Sequence, residues 1–133
     1  MATTPSTYPI QASEDIVRIR QVVRAESVAV GLSLVDQTKF VTAASELARN
    51  TLDHAGGGQM LIERIERNGR PGLRLLFEDQ GPGIPDIERA LSDGYTSGGG
   101  LGLGLGGARR LSNEFTIESK VGVGTRISIA RWK

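Results

Sequence analysis

Apolar residues recur at helical spacing through the first half of the chain. Ser13 is suited to cap a first helix, which Gly31 then ends, and a short extended piece at about 8–12 precedes it. The apolar stripe of this helix is Ile16, Ile19, Val23 and Val30. A second helix starts near residues 35–36 and stops at the glycine run 56–58. Its stripe is Phe40, Ala44, Leu47, Thr51 and Ala55.

The second half of the chain alternates strand patterns with shorter helical ones. Strands are predicted at 60–66, 73–78, 115–119 and 125–132, and helices at 86–91 and 108–111. The first two strands form a hairpin through 68–72, and the last two meet at 121–124. This order predicts an α/β (α+β) two-layer sandwich, with a mixed, mainly antiparallel sheet and helices on one face.

Composition limits the classes of protein and partner. A chain of 133 residues predicts one domain, here 9–133, after a flexible N-terminal tail at 1–8. The net charge of +1 gives no reason to expect a nucleic acid or a membrane surface as partner. With no cysteine and one histidine, disulfide frameworks and multi-histidine metal sites are excluded. Neither a signal peptide nor a long apolar span is visible, so we expect a cytoplasmic protein.

Two polar residues of the second helix, Glu46 and Asn50, are four positions apart. Four residues turn an α-helix by about 400°, so both side chains lie on one ledge beside the apolar stripe. A carboxylate there can accept a proton from an attacking hydroxyl, and an amide oxygen suits Mg²⁺. A solvated polar helix face is the alternative, and His54, one turn further, is either near bound phosphates or a capping residue.

The segment 77–85 ends a strand in an acid and then turns through two glycines. Asp79 can accept a hydrogen bond from an exocyclic amine such as that of adenine. Gly81 and Gly83 lack β-carbons, so backbone can come close to a flat ligand. A plain Asp-initiated turn explains the same residues without a ligand.

A glycine-dense stretch, 94–107, runs into the predicted helix at 108–111. Backbone amides of such a loop, with a helix dipole behind them, suit phosphates, and Arg109 and Arg110 add charge. Leucines at alternate positions argue against a flexible Gly/Ser linker. A dinucleotide fingerprint at 102–107 lacks its preceding strand, and no Gly-Lys-Ser/Thr follows for a Walker A loop.

Taken together, these segments resemble the three nucleotide-binding boxes of the GHKL ATPase superfamily, which has the Bergerat fold. Glu46 and Asn50 match the N box, 79–83 matches the Asp-x-Gly-x-Gly of the G1 box, and 100–104 matches the G2 box. Thr125 falls where the family often has a Gly-Thr near the adenine. Within the superfamily, 46–50 and 110–115 are most similar to the short RsbT-like serine/threonine kinases of bacterial partner switching.

The resemblance implies roles for these residues. Glu46 would be the general base, Asn50 the Mg²⁺ ligand and Asp79 the residue that recognises adenine, with 86–100 as an ATP lid. The implied ATP-binding residues are Asn50, Asp79, Gly81, Gly83, Ile84, Ser97, Gly98, Gly99, Gly100, Leu101, Gly102, Leu103, Gly104 and Thr125.

The implied activity is transfer of the ATP γ-phosphoryl group to a serine or threonine of a STAS-domain antagonist, RsbS-like or RsbR-like, with a PP2C-type phosphatase as a further partner. Two alternatives stay open. One is an anti-sigma factor kinase like RsbW or SpoIIAB, which the His54-Ala55 pair resembles more than it resembles the RsbT-like kinases. The other is a nucleotide-gated binding module without phosphotransfer. Histidine kinases, gyrases and chaperones are less similar, because no helical hairpin with a phosphoacceptor histidine is seen and we expect no room for a transducer domain.

Overall fold

A computed structural model describes residues 4–92 and 104–133. The elements in chain order are β1 (Ser6–Ile10), α1 (Ser13–Ala29), α2 (Leu34–Ala55), β2 (Gly58–Arg67), β3 (Arg70–Asp79), α3 (Ile87–Ala90), α4 (Gly104–Arg110), β4 (Glu114–Lys120) and β5 (Gly124–Trp132).

The strands form one five-stranded sheet in the order β1-β2-β3-β5-β4. Alternate residues of the central strand β3, Leu73, Leu75 and Phe77, are buried, whereas Arg74 is exposed on the other face. Buried residues of α1 and α2 join these strand residues in one core. The predicted two-layer α+β sandwich is confirmed. The sequence predicted a mixed, mainly antiparallel sheet. Within the described residues every strand pairing is antiparallel.

Helix α2 carries the candidate N-box residues and has clear signals at both ends. The Ser33 hydroxyl accepts a hydrogen bond from the Asp36 amide at 3.1 Å, which caps the first turn. Gly56 ends the helix in the left-handed conformation with φ 73°. The predicted stop is therefore confirmed, and the helix begins one or two residues before the predicted start.

The capping residue predicted for α1 is wrong. Ala12 occupies the N-cap, and Ser13 is the first helical residue. The Asp15 carboxylate instead accepts hydrogen bonds from the amides of Gln11 and Ala12, at 2.7 and 3.1 Å. The Asp15 side chain thus reaches back from the first turn to the N-cap residue and its predecessor, while the Asp15 amide donates to the Ala12 carbonyl at 3.0 Å.

The prediction of a flexible tail over 1–8 is wrong for Ser6–Tyr8. These residues belong to β1 and pair with Met60–Ile62 of β2. An edge strand is held by backbone hydrogen bonds, and these need no strong apolar pattern in the sequence. Residues 1–3 lie outside the described residues.

The hairpin between β2 and β3 is confirmed, but its connection is shorter than predicted. Asn68 and Gly69 alone form the turn, with φ of 53° and 79°. Two consecutive positive φ angles are typical of the type I′ turn, whose twist matches that of the flanking strands. Residues 70–72 consequently belong to β3 rather than to the loop.

Candidate functional site

The carboxylate of Glu46 is buried on the face of α2 that meets α4. Only 7% of the residue is exposed. Its Oε1 accepts a hydrogen bond from the backbone amide of Gly104, the first residue of α4, at 3.2 Å. A buried carboxylate needs such partners, and this one holds the acid in a defined orientation.

A pocket of about 250 Å³ lies one turn along α2 from Glu46. It is lined by Asn50, His54, Gly83, Ile84, Pro85, Asp86, Arg89, Ala90, Gly104 and Leu105. Thus the helix, the turn after β3 and the start of α4 meet at one place, as the predicted site requires. Gly104 lies next to both predicted site residues of α2. Its amide donates to Glu46, and it lines the pocket together with Asn50.

Asp79 ends β3 and lies beside Thr125 of β5, its partner in the sheet register. Strand alternation puts both residues on the helix-covered face, in line with Phe77 and Ile127. Asp79 Oδ1 accepts a hydrogen bond from the Gly81 amide at 2.9 Å, which orients the carboxylate. Both residues line a second cavity, of about 710 Å³, at this end of the sheet rather than the 250 Å³ pocket.

The two glycines of this turn are needed for close packing within the protein. A β-carbon on Gly81 would lie 2.5 Å from the β-carbon of Ala55 in α2. One on Gly83, whose φ is 81°, would lie 2.5 Å from the Lys120 carbonyl oxygen. The sequence left two explanations for these glycines open, close approach of a ligand and a plain Asp-initiated turn. The structure adds a third, because the turn packs closely between α2 and the end of β4.

Sequence reasoning missed Ser119, which ties the same turn to the last hairpin. Its hydroxyl accepts a hydrogen bond from the Ile84 amide at 2.7 Å and lies 2.8 Å from the Thr125 hydroxyl. The Gly122 amide donates to the Pro82 carbonyl at 2.9 Å in the same region. Nothing local in β4 marks Ser119, since Ile84 is 35 residues away in the chain.

The comparison with protein families agrees with this geometry. Residues 35–133 match the family described as histidine kinase-, DNA gyrase B- and HSP90-like ATPase. The chain belongs to this ATPase family. It is 46% identical over 127 residues to the serine/threonine-protein kinase RsbT of Bacillus subtilis, covering 96% of both chains. It is also 33% identical over 100 residues to an anti-sigma F factor of Clostridium kluyveri, covering 71% of this chain and 70% of that one.

Solved structures support the same fold. The RsbU and RsbW domains of a Mycobacterium tuberculosis protein superimpose with a TM-score of 0.66 at 18% identity, over 98% of this chain. Our chain spans 33% of the length of that structure. The mycobacterial sensor histidine kinase MprB gives a TM-score of 0.55 at 19% identity, covering 96% of this chain and 97% of that one.

The chain is therefore an RsbT-like protein kinase of the GHKL superfamily and uses ATP, as the sequence resemblance predicted. Part of the predicted ATP-binding site and most of the predicted lid lie outside the described residues. The ATP-binding residues concerned are Ser97, Gly98, Gly99, Gly100, Leu101, Gly102 and Leu103. No helix among the described residues has the length and apolar character needed to cross a membrane.

The helix α4 starts earlier than predicted. It begins at Gly104, inside the glycine stretch, rather than near Ala108. A β-carbon on Gly106 would lie 2.4 Å from the Leu91 carbonyl oxygen, so this glycine lets α4 pack directly on the residue that follows α3. Close packing here outweighs the low helix propensity of glycine.

The residues of this ATPase site suit a magnesium ion held mainly by a nucleotide. Asn50 offers a hard amide oxygen at the pocket wall, half-buried on a rigid helix. Residues 4–92 and 104–133 contain no group of three or more His, Cys, Asp or Glu that could hold a metal ion. Mg²⁺ retains waters and binds phosphate oxygens, so one protein ligand fits its chemistry.

His54 lies at the pocket wall in this kinase. It is exposed and lines the pocket with Asn50, one helical turn away. It also lies in the last turn of α2, so its position fits both interpretations that the sequence left open, a residue near bound phosphates and a capping residue.

Gly124 provides a test of the close backbone contacts beneath the site. Its φ is 147°, and an added β-carbon would lie 2.1 Å from the Asp79 carbonyl oxygen. We expect Gly124→Ala to lower the free energy of unfolding by about 2 to 4 kcal/mol, from backbone strain plus steric overlap. Gly122→Ala is the matched control, because Gly122 has a positive φ of 81° but no neighbouring atom within 4 Å. Equal urea midpoints for the two variants would contradict the steric argument.

Proposed function

We propose that this kinase transfers the γ-phosphoryl group of ATP to a serine or threonine of a STAS-domain antagonist protein, in a cytoplasmic partner-switching pathway. One observation carries the proposal: the buried Glu46 carboxylate is held by the same Gly104 that lines the nucleotide pocket with Asn50. A base beside a phosphate site is what phosphotransfer to a hydroxyl requires. The relative named as a serine/threonine-protein kinase, at 46% identity over 96% of both chains, supports it.

The residues divide the work between binding and chemistry. Ile84 and Leu105 give the 250 Å³ pocket apolar walls for one part of the nucleotide. Asp79, oriented by the Gly81 amide, lines the 710 Å³ cavity, and its carboxylate accepts a hydrogen bond from the adenine amine there. Asn50 would hold Mg²⁺, which when bound neutralises charge on the β- and γ-phosphates.

Glu46 performs the proton transfer. Its carboxylate accepts the proton of the substrate hydroxyl while the hydroxyl oxygen forms a bond to the γ-phosphorus and the bond to the ADP oxygen breaks. The Gly104 amide donates to Oε1 and so fixes the orientation of the carboxylate. Positioning rather than covalent catalysis then supplies most of the rate enhancement.

The anti-sigma alternative has weaker support. The anti-sigma F factor relative is 33% identical and covers 71% of this chain, against 46% and 96% for RsbT. A binding module without phosphotransfer would not need the buried acid of Glu46, whose burial has an energetic cost.

Transfer of radiolabelled phosphate from ATP to a purified STAS-domain protein tests the proposal. We expect one phosphoryl group per acceptor, lost when the acceptor serine or threonine of the substrate is replaced by alanine. A complex with a sigma factor, together with no labelling of any STAS-domain protein, would favour the anti-sigma alternative.

Asn50→Ala tests the metal assignment. Without the amide oxygen, we expect the affinity for ATP in the presence of Mg²⁺ to fall by about 10- to 100-fold, with little change when EDTA removes the metal. Asp53→Ala is the matched control on the same helix, since Asp53 is exposed and does not line the pocket. Calorimetric titrations with and without Mg²⁺ give both values. A loss of equal size in EDTA would show that Asn50 contacts the nucleotide and not the metal.

A further inference from the structure

Arg131 of β5 joins three parts of the molecule. Its Nη2 donates to the Asp36 carboxylate, in the first turn of α2, at 2.8 Å. Its Nη1 donates to the Leu111 carbonyl, directly after α4, at 2.8 Å. The side chain is only 12% exposed. A planar guanidinium suits this double task, because its donors point in fixed and different directions.

The helix that Arg131 holds is weak by itself. Three of the seven residues of α4, Gly104, Gly106 and Gly107, are glycines. Each costs about 1 kcal/mol relative to alanine in a helix, and a helix this short is unstable alone. The position of α4 must therefore come from contacts with other elements.

Both ends of α4 have such contacts, and they differ in kind. At the N-terminal end Gly104 donates to the Glu46 carboxylate, and Leu105 lines the nucleotide pocket. At the C-terminal end the Leu111 carbonyl accepts from Arg131, about 10 Å away along the helix axis. We expect that releasing the second end loosens the first, because a helix this short and rich in glycine does not keep its geometry alone.

We propose that Arg131 is a positioning residue of the active site. By holding Leu111 against α2 and β5, it keeps Gly104 against the Glu46 carboxylate and Leu105 at the wall of the nucleotide pocket. The Asp36 carboxylate completes the arrangement: the hydrogen bond from Arg131 lowers its pKa, so it stays ionised and fixes the guanidinium. The catalytic part rests on the proposed function of Glu46, whereas the structural part does not.

The ion pair between Arg64 and Glu26 offers a comparison. Arg64 Nε lies 2.8 Å from Glu26 Oε1, the same distance as the Arg131–Asp36 contact, but it joins β2 to α1. Arg64→Gln removes this ion pair between the sheet and a helix, and neither Arg64 nor Glu26 belongs to α4. Arg64→Gln therefore shows what the loss of an ion pair between sheet and helix does by itself. Any larger effect of Arg131→Gln on 104–111 is then specific to α4.

The experiment compares Arg131→Gln, Arg131→Lys and Arg64→Gln in the full chain. Amide hydrogen exchange is measured over 104–111 without nucleotide, together with kcat and KM for ATP in phosphotransfer to a STAS-domain protein and the free energy of unfolding. In Arg131→Gln we expect at least ten-fold faster exchange over 104–111 and about a ten-fold lower kcat. Arg64→Gln should change neither by more than two-fold.

Arg131→Lys keeps the charge opposite Asp36 but lacks the fork that reaches Leu111 as well. We expect it to retain most of the unfolding free energy and still to show the faster exchange at 104–111. If it exchanges like the parent, or if Arg131→Gln raises exchange uniformly along the chain, the positioning role is wrong. If the parent protein itself labels no STAS-domain protein, the proposed function fails, and the exchange results still decide the role of Arg131.

Discussion

Glu46→Gln is expected to lower phosphotransfer to a STAS-domain substrate by about 10² to 10⁴, the range for loss of a positioned general base. Affinity for Mg-ATP should stay within a factor of about two. Glutamine has the size of glutamate, and its amide oxygen can still accept the hydrogen bond of the Gly104 amide. The substitution thus removes the proton acceptor and leaves the packing between α2 and α4 in place.

Initial rates with radiolabelled ATP, run beside calorimetric titrations, give both quantities. Asp53→Asn is the control, because it removes an exposed carboxylate from the same helix and should leave the rate unchanged. Glu46→Ala should lose activity to a similar extent but also stability, since it leaves a cavity and an unpaired amide. If Glu46→Gln phosphorylates the substrate at the parental rate, the catalytic role of Glu46 is wrong and the nucleotide-gated binding module becomes the better interpretation.

Asp79→Asn should weaken ATP binding by about 1.5 to 3 kcal/mol, roughly 10- to 150-fold, because the adenine amine loses a charged acceptor. The turn itself should persist, since the asparagine side-chain oxygen can still accept from the Gly81 amide. Inosine triphosphate, which carries an oxygen in place of the adenine amine, distinguishes a lost hydrogen bond to adenine from general damage to the site. With its oxygen on the Gly81 amide, the asparagine turns its NH2 group towards the ligand, so the variant should lose affinity for ATP and gain affinity for the inosine nucleotide.

Glu63→Gln serves as the control for Asp79→Asn. Glu63 lies in β2 on the face of the sheet away from the helices, where its carboxylate pairs with Arg74, and it lines neither the 250 Å³ pocket nor the 710 Å³ cavity. Its replacement should leave ATP affinity unchanged. Equal affinities of parent and Asp79→Asn for ATP, with urea unfolding showing a folded variant, would remove Asp79 from the adenine site.

Local patterns in the sequence predicted most of the elements that build the site. The apolar stripe of α2 and the glycine that ends it determine a long helix, and helical geometry then puts Glu46 and Asn50 on one ledge. The Asn68-Gly69 pair determines the turn of the β2–β3 hairpin. Periodicity and turn chemistry act over a few residues, so a single sequence contains this information.

Local patterns did not predict how these elements meet. The capping of α1 by Asp15, the pairing of Ser6–Tyr8 and the early start of α4 each depend on backbone groups that need a partner in the folded chain. Patterns of apolar residues carry little information on where backbone groups find their partners. Each of these predictions was therefore wrong by a few residues.

By itself, then, the sequence determined the helices, the hairpins and the family of the nucleotide site, because spacing along the chain is enough for these. Tertiary structure alone decided three contacts: Gly104 with Glu46, Ser119 with Ile84, and Arg131 with Asp36. They join residues 58, 35 and 95 positions apart. Gly104 meets Glu46 where α4 packs on α2, whereas the contacts of Ser119 and Arg131 depend on the strand order β1-β2-β3-β5-β4. Spacing along the chain carries no information on either arrangement, because both form only when distant elements pack together.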